Sequence, residues 1–274
     1  ELTARVSCWS FGRDADLDRR LSRKRFRRGW YELGPRKHFW DGAFSSRTAW
    51  LTEPSADAPH TRGSGIPASE ILPLLRRAVR DGRQVAAHAI GDAAVTAYVD
   101  AVEELGREVD VAAIRFRIEH GQIITPRDVE RIRRLGMVVS AQPNAAIDPE
   151  KDLRLVGADR ARRAYPYRTL LDAGVPLAFG SDYPGEATYD PLYGIHLAVN
   201  REGPEAISAD EAIACYTAGG AYAQHREHER GRIRSGYLAD LAVLSGDPTS
   251  VAPATIREIE VEATVVDGRF VHQK

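Results

Sequence analysis

Several features that mark particular classes of protein are scarce in this sequence of 274 residues. Its two cysteines, Cys8 and Cys215, are too few for a disulfide scaffold and are typical of free thiols in a reducing compartment such as the cytoplasm. No run of about eighteen apolar residues occurs, so a membrane-spanning helix is not expected. The net charge of −1 is balanced, which argues against binding nucleic acid through the protein surface as a whole.

Methionine is scarcer still, because Met137 is its single occurrence. The chain opens on Glu1, within a stretch that favours a strand, so we expect a trimmed or processed polypeptide or a piece of a longer one. A targeting segment upstream of Glu1 is compatible with this sequence. The apolar fraction of 43% is ordinary for a globular protein and excludes a disordered chain.

Short apolar strands alternate with amphipathic helices through most of the sequence. Strands are predicted at Leu2–Ser10, Val85–His88, Phe116–His120, Met137–Ala141 and Val175–Phe179. Helices are predicted at Ser69–Arg80, Asp92–Leu105, Pro126–Leu135, Tyr167–Ala173 and Ser208–Tyr216. Strand followed by helix, repeated, indicates an α/β fold with parallel strands joined by helical crossovers.

The spacing of polar residues at the strand ends indicates the kind of sheet. His88 and His120 are 32 residues apart, and His120 and Asp182 are 62 apart, which is one unit and then two. A period of about 31 residues is that of a (β/α)8 barrel of about 250 residues, in which functional side chains lie at the C-terminal strand ends. The three residues would then meet there as ligands of Zn²⁺ or a similar ion. The alternative is three unrelated polar side chains, each satisfied by its own hydrogen bonds.

The last part of the sequence changes character. The segments Gly231–Leu244 and Ile259–Val271 are rich in residues that favour strands. Asp267-Gly268 lies between two apolar runs and predicts a hairpin turn. We therefore expect a small β element appended to the barrel.

Five short motifs, in this order, resemble those of the amidohydrolase superfamily, and specifically of the amidohydrolase-3 (YtcJ-like) group of metal-dependent hydrolases. They are Lys37-His-Phe-Trp-Asp-Gly42, His88-Ala-Ile-Gly-Asp92, Ile118-Glu-His-Gly121, Gln142-Pro143 and Gly180-Ser-Asp-Tyr-Pro184. The C-terminal segment is similar to the family's closing β-sandwich. The resemblance implies a partial (β/α)8 barrel over residues 1–228 and a β-sandwich segment over residues 229–274.

The resemblance also implies roles for individual residues. His88 and His120 would bind one divalent metal, with zinc as the expected ion. Asp182 would bind a second metal and act as the general base that passes a proton to the leaving nitrogen during hydrolysis of a C–N bond. Lys37 would bridge the metals if CO₂ converts it to a carbamate. The alternative is a plain Lys37 ammonium beside a single metal.

Substrate contacts are the least defined part of the site. The candidates are Trp40, Gln142, Asn144, Arg168 and Tyr183, and the alternative for each is packing in the scaffold or a loop. The family often has Gln-Pro-Thr-His where this chain has Gln142-Pro-Asn-Ala145, so a pocket histidine is missing. The family's substrate preference is therefore not carried over.

The family's first barrel strand carries His-x-His, and no two of the eight histidines here are two residues apart. We therefore expect roughly the first two barrel strands, and the opening part of the β-sandwich, to lie outside this chain. A further polypeptide segment or chain would supply the His-x-His strand. A small-molecule substrate is expected, and the sequence is compatible with a homo-oligomer.

Two other functions are compatible with these residues. One is a non-catalytic or complementing fragment that lacks the His-x-His half-site and serves as a binding or scaffold chain. The other is a deaminase or esterase built on the same fold, since the same ligands permit several reactions.

Overall fold

The computed structural model describes residues 3–11, 20 and 29–274, and its main feature is a sheet of six parallel strands. The strands pair in chain order, which is the arrangement that helical crossovers produce. They are β1 (Val6–Phe11), β2 (Tyr31–Phe39), β3 (Val85–Ala89), β4 (Arg117–His120), β5 (Val138–Ala141) and β6 (Leu177–Phe179). The predicted alternation of strands and helices is confirmed, although Leu2, where the first predicted strand begins, lies outside the described residues.

Helices connect these strands and cover one face of the sheet. The α-helices are α1 (Ala68–Arg80), α2 (Asp92–Leu105), α3 (Val111–Ile114), α4 (Pro126–Arg134), α5 (Pro149–Val156), α6 (Ala158–Arg163), α7 (Tyr167–Asp172), α8 (Pro191–Val199), α9 (Ala209–Ala214) and α10 (Gly220–Ala223). Pro143–Ala146 and Pro253–Glu258 form 3₁₀ helices, and Cys215–Gly219 forms a π-helix. No helix in the described part of the chain is both long and apolar enough to span a membrane.

The helix starts follow from their capping residues. The Thr125 side chain accepts a hydrogen bond from the Asp128 backbone N–H, and Pro126 occupies the first helical position of α4. Ser208 and Glu211 form the predicted capping box at the start of α9. The helix predicted to run from Ser208 to Tyr216 changes to a π-helix after Ala214.

Gly219 explains why this π-helix can lie against β6. A Cβ atom at Gly219 would come within 2.2 Å of the Leu177 carbonyl oxygen, so a larger residue would push the two segments apart. Glycine at this position thus allows the close backbone approach, and that tertiary contact is not visible in the local sequence.

The two faces of the sheet carry different side chains because residues alternate along a strand. Val85, Ala87 and Ala89 of β3 belong to the buried hydrophobic core that the helices cover. His88 lies between Ala87 and Ala89 and so faces the other way, and Glu119 of β4 is its partner in the sheet. This second, polar face corresponds to a barrel interior.

An ion pair lies on the polar face of β4. Arg117 Nε donates to Glu119 Oε1 at 2.8 Å, and the two side chains are only 6% and 5% exposed. Arg117 Nη2 also donates to Ser140 Oγ at 3.1 Å, and the guanidinium lies 4.7 Å from the centre of the Trp9 ring. Arg117 thus links β4 to β5 and to β1.

Removing one partner of this pair is expected to destabilise the protein strongly. In Glu119→Ala the Arg117 charge stays buried without its partner, so the free energy of unfolding should fall by about 3–5 kcal/mol. Urea denaturation measures the change. Glu104→Ala is the matched control, because Glu104 pairs with Arg107 at 2.7 Å on the surface and its loss should cost at most about 1 kcal/mol. Equal losses in the two variants would contradict the interpretation.

The C-terminal segment forms a three-stranded antiparallel sheet of β7 (Leu241–Leu244), β8 (Val261–Val266) and β9 (Arg269–Gln273). Asp267 and Gly268 join β8 to β9 with φ angles of 55° and 74°, as a tight hairpin turn requires, so the predicted turn is confirmed. The predicted division of the chain into residues 1–228 and 229–274 stays a prediction.

Candidate metal and active site

The parallel register brings the two predicted histidine ligands together. His88 lies one residue before the end of β3, and His120 is the last residue of β4. In the sheet His88 is paired with Glu119 and Ala89 with His120, so the two histidines lie diagonally across neighbouring strands. The backbone of His120 departs from strand geometry at a φ angle of 76°, and the two imidazole rings lie 4.4 Å apart between centroids. The histidine pair predicted from a spacing of one strand–helix unit is therefore present at this end of the sheet.

A backbone carbonyl beside His88 determines which ring nitrogen has a lone pair available to a metal ion. His88 Nε2 lies 2.9 Å from the Gly42 carbonyl oxygen. A carbonyl can only accept a hydrogen bond, so Nε2 carries the proton and Nδ1 keeps its lone pair. Burial lowers the pKa of His88, which favours the neutral imidazole that metal ions bind.

His120 is held in the same neutral form. Burial, followed by the nearby His88 and Lys37, lowers the pKa of His120 to about 3, whereas the neighbouring Gln142 side chain opposes the shift. Its φ angle of 76° lies in the left-handed region, which non-glycine residues rarely adopt. Such strain is common at functional sites, where the surroundings hold a side chain in one direction.

Lys37 lies on β2, beside the histidine pair. Its Nζ is 4.9 Å from the centre of the Phe39 ring, and the Phe39 ring in turn lies 5.0 Å from that of His88. Burial lowers the pKa of Lys37, and Glu119 and Asp182 act in the opposite direction. A lowered pKa increases the share of uncharged amine, which is the form that can react with CO₂.

Asp182 follows β6 in the loop that reaches the same end of the sheet. Its φ angle is 55°, again in the left-handed region. Burial raises the pKa of its carboxyl group, whereas the Lys37 charge lowers it. Asp182 and Lys37 are thus close enough to influence each other electrostatically.

These residues supply donors that suit a divalent metal, but they do not form a complete cage by themselves. In the described ranges, no cluster of three or more His, Cys, Asp or Glu side chains is arranged to hold a metal ion. The neutral His88 and His120 pair fits half of a site, because nitrogen donors of this kind are typical zinc ligands. Further ligands would have to come from Lys37, Asp182 or a segment beyond the described residues.

The sequence-based prediction overlooked the role of Asp41, although Asp41 lies within the motif quoted for Lys37. Its carboxylate accepts backbone hydrogen bonds from Trp50, Ile90 and Gly91 at 2.8–3.0 Å. It also lies 3.6 Å from His88 Nε2. Burial raises the pKa of Asp41 to about 6. Asp41 therefore ties the loop after β2 to the loop after β3, beside the proposed ligand.

The five predicted substrate contacts fall in different places. Gln142 lies beside His120, and Tyr183 follows Asp182 with its side chain 57% exposed. Trp40 packs in the hydrophobic core against Tyr98, with ring centroids 5.7 Å apart, so the structure does not bring it to the site.

Arg168 is also placed away from the site. It lies on α7 and pairs with Asp172 at 3.0 Å and with Glu211 of α9. Its charge is thus taken up by carboxylates of the helical layer. Asn144, the remaining candidate, is buried after β5 and bonded to the loop that carries Asp182.

Comparison with known proteins identifies the family. The model of the amidohydrolase family Amidohydro_3 matches residues 1–272, so the chain belongs to this family. It is 38% identical over 256 residues to "Putative amidohydrolase YtcJ" of Bacillus subtilis (strain 168), covering 89% of this chain and 48% of that protein. It is 32% identical over 225 residues to N-substituted formamide deformylase of Arthrobacter pascens, covering 78% of this chain and 41% of that protein. The chain thus spans about half the length of these relatives.

Solved structures agree with the fold. An uncharacterized metal-dependent hydrolase from Pyrococcus furiosus matches with a TM-score of 0.76 and 34% identity, over 86% of this chain and 49% of that one. A second, from Pyrococcus horikoshii OT3, matches with a TM-score of 0.79 and 27% identity, over 91% and 52%. The predicted fold class is confirmed: the six parallel strands belong to a (β/α)8-type barrel with a small appended sheet.

Proposed function

We propose that this chain provides the C-terminal part of a metal-dependent hydrolase that cleaves C–N bonds in small molecules of the amide, N-acyl or formamide type. The observation that carries the proposal is the pair of neutral imidazoles of His88 and His120, 4.4 Å apart at the C-terminal edge of a parallel sheet. Lys37 and Asp182 lie within electrostatic reach of each other beside this pair. Membership of the amidohydrolase family supports the same reaction class.

Each residue has a role that its environment supports. His88 would bind a divalent metal through Nδ1, because Gly42 occupies Nε2, and His120 would bind it beside His88. Zinc is the proposed ion, since nitrogen and carboxylate donors suit it. When bound, such an ion supplies a Lewis acid and makes water more acidic. Lys37 would serve as a bridging carbamate, with a plain amine beside a single metal as the alternative.

Asp182 would act as general base and move a proton from water to the leaving nitrogen. Burial raises the pKa of its carboxyl group, and a raised pKa makes a carboxylate a stronger proton acceptor. Gln142 and Tyr183 would contact the substrate. A further polypeptide segment would supply the His-x-His ligands, and the cytoplasm remains the proposed location.

A substrate panel separates this proposal from its alternatives. The native protein that carries this chain would be supplied with Zn²⁺ and tested on N-substituted formamides, N-acyl amines, esters and aminated heterocycles. We expect release of an amine together with formate or another carboxylate, lost with a chelator and restored by Zn²⁺. Release of ammonia alone would indicate a deaminase, and release of an alcohol alone an esterase. Absence of both bound metal and turnover would support the non-catalytic scaffold.

A further inference from the structure

The loop that joins β6 to α8 carries Asp182 and has few attachments to the rest of the protein. The Gly180 backbone N–H donates to the Ala141 carbonyl oxygen at 3.1 Å, where the loop begins. Beyond Gly180 the loop turns on itself, since the backbone N–H groups of Gly185 and Glu186 both donate to the Asp182 carbonyl oxygen. These internal bonds shape the loop, but they do not fix its position over the sheet.

One side chain supplies a bond to this loop from another element. Asn144 Nδ2 donates to the Thr188 carbonyl oxygen at 2.8 Å. Among the described residues, no other hydrogen bond joins residues 181–189 to a residue outside the loop. Asn144 belongs to the 3₁₀ helix that follows β5, so its side chain connects the end of β5 to the loop that bears Asp182.

The Asn144 side chain is enclosed, and in the described part of the chain its amide is hydrogen-bonded through Nδ2, whereas its buried Oδ1 has no partner. The residue is 3% exposed, so its side chain is enclosed. A Cβ atom at Gly194 of α8 would lie 3.2 Å from Asn144 Oδ1 and 1.9 Å from Tyr216 Oη. The missing side chain at Gly194 therefore makes room for Tyr216, on the π-helix, to pack behind the Asn144 amide. The amide is wedged between the helices and the loop.

We propose that Asn144 is a positioning residue that anchors the loop 181–190 and thereby holds Asp182 over the sheet, rather than a group that binds substrate. The catalytic consequence rests on the proposed function, in which Asp182 is the general base. A base displaced by about 1 Å can lose about 10²-fold in rate, so one anchoring bond at a buried site has a large effect.

The test compares Asn144→Ala and the isosteric Asn144→Asp with wild type, in the native protein that carries this chain. Hydrogen–deuterium exchange of the peptide covering residues 181–190 is the first readout, and we expect exchange to rise about tenfold there but not in β3 or β4. The second readout is the kinetics on the formamide or N-acyl substrate, where kcat should fall about 10–100-fold with KM little changed.

Tyr216→Phe is the matched control, because it removes a buried hydroxyl behind Asn144 without touching the bond to Thr188. Wild-type exchange and kinetics are expected for it. Unchanged exchange at residues 181–190 in both Asn144 variants would overturn the proposal, as would a raised KM with an unchanged kcat, which indicates a substrate contact. If loop exchange rises as expected but wild type cleaves no C–N substrate, the anchor is supported and the proposed function fails separately.

Discussion

Replacing Asp182 by asparagine is expected to lower kcat for C–N hydrolysis by about 10²–10⁴-fold, which is the range that general acid–base catalysis contributes. Asparagine keeps the shape of the side chain and tolerates the φ angle of 55° found at this position, so the backbone should be preserved. What is lost is the carboxylate that accepts a proton. Steady-state kinetics of wild type and variant on one substrate measure the effect.

The control for this prediction lies in the same loop. Glu186 is also a partly buried carboxylic acid near Asp182, and burial raises its pKa as well. No role in proton transfer is assigned to it, so Glu186→Gln should keep kcat within about threefold of wild type. A similar loss in both variants, or an active Asp182→Asn enzyme, would show that Asp182 is not the base.

Replacing His120 by asparagine is expected to remove bound metal and hydrolysis together. Loss of a partner in the outer shell of a metal site costs about 10–100-fold in affinity or activity, and loss of a direct ligand should exceed that range. Asparagine again suits the positive φ angle, which is 76° here. Elemental analysis of the purified protein and the hydrolysis assay provide the two measurements.

His60→Asn is the matched control for this second prediction. His60 lies on an exposed loop, so its replacement should leave the metal content and the rate unchanged. Retention of a full complement of metal in His120→Asn would contradict the assignment of His120 as a ligand. A loss of metal in His60→Asn as well would show that the assay reports general instability.

The sequence could predict the histidine pair because polar residues recur at the strand ends with the spacing of the barrel's strand–helix units. His88 and His120 lie one strand–helix unit apart, and parallel strands bring their C-terminal ends to one edge. The same reasoning places Asp182 after β6. The metal ligands beyond this pair could not be predicted in the same way. They depend on distances between side chains, which the spacing of the strand–helix units does not specify.

Side chains alternate between the two faces of a strand, and this alternation indicates which residues of a motif share a face. Lys37 and Phe39 share one face of β2, whereas Trp40 has the opposite parity and packs against Tyr98 in the core. By the same rule Arg117 and Glu119, two residues apart on β4, share the polar face and form a buried pair. Alternation along β2 could thus have indicated that Trp40 faces the core, and alternation along β4 could have indicated the ion pair of Arg117 and Glu119.

Other features depend on contacts between distant parts of the chain. Arg168 pairs with Asp172, four residues further along the sequence, and with Glu211, 43 residues further on. The first pair could be predicted from helical spacing, whereas the second could not. The π-helix depends on how closely Gly219 approaches the Leu177 carbonyl oxygen, a spacing set by packing on β6. The anchoring bond of Asn144 likewise requires the loop after β6 to fold back over β5.

The central claim is that His88 and His120 are ligands of one metal ion. The most direct test is an anomalous difference map, collected at the zinc absorption edge from crystals of the native protein that carries this chain. We predict a peak about 2.0–2.1 Å from His88 Nδ1 and from a ring nitrogen of His120, with Lys37 and Asp182 alongside. A zinc-loaded crystal with no peak between the two imidazoles, or with its ion elsewhere, would contradict the claim.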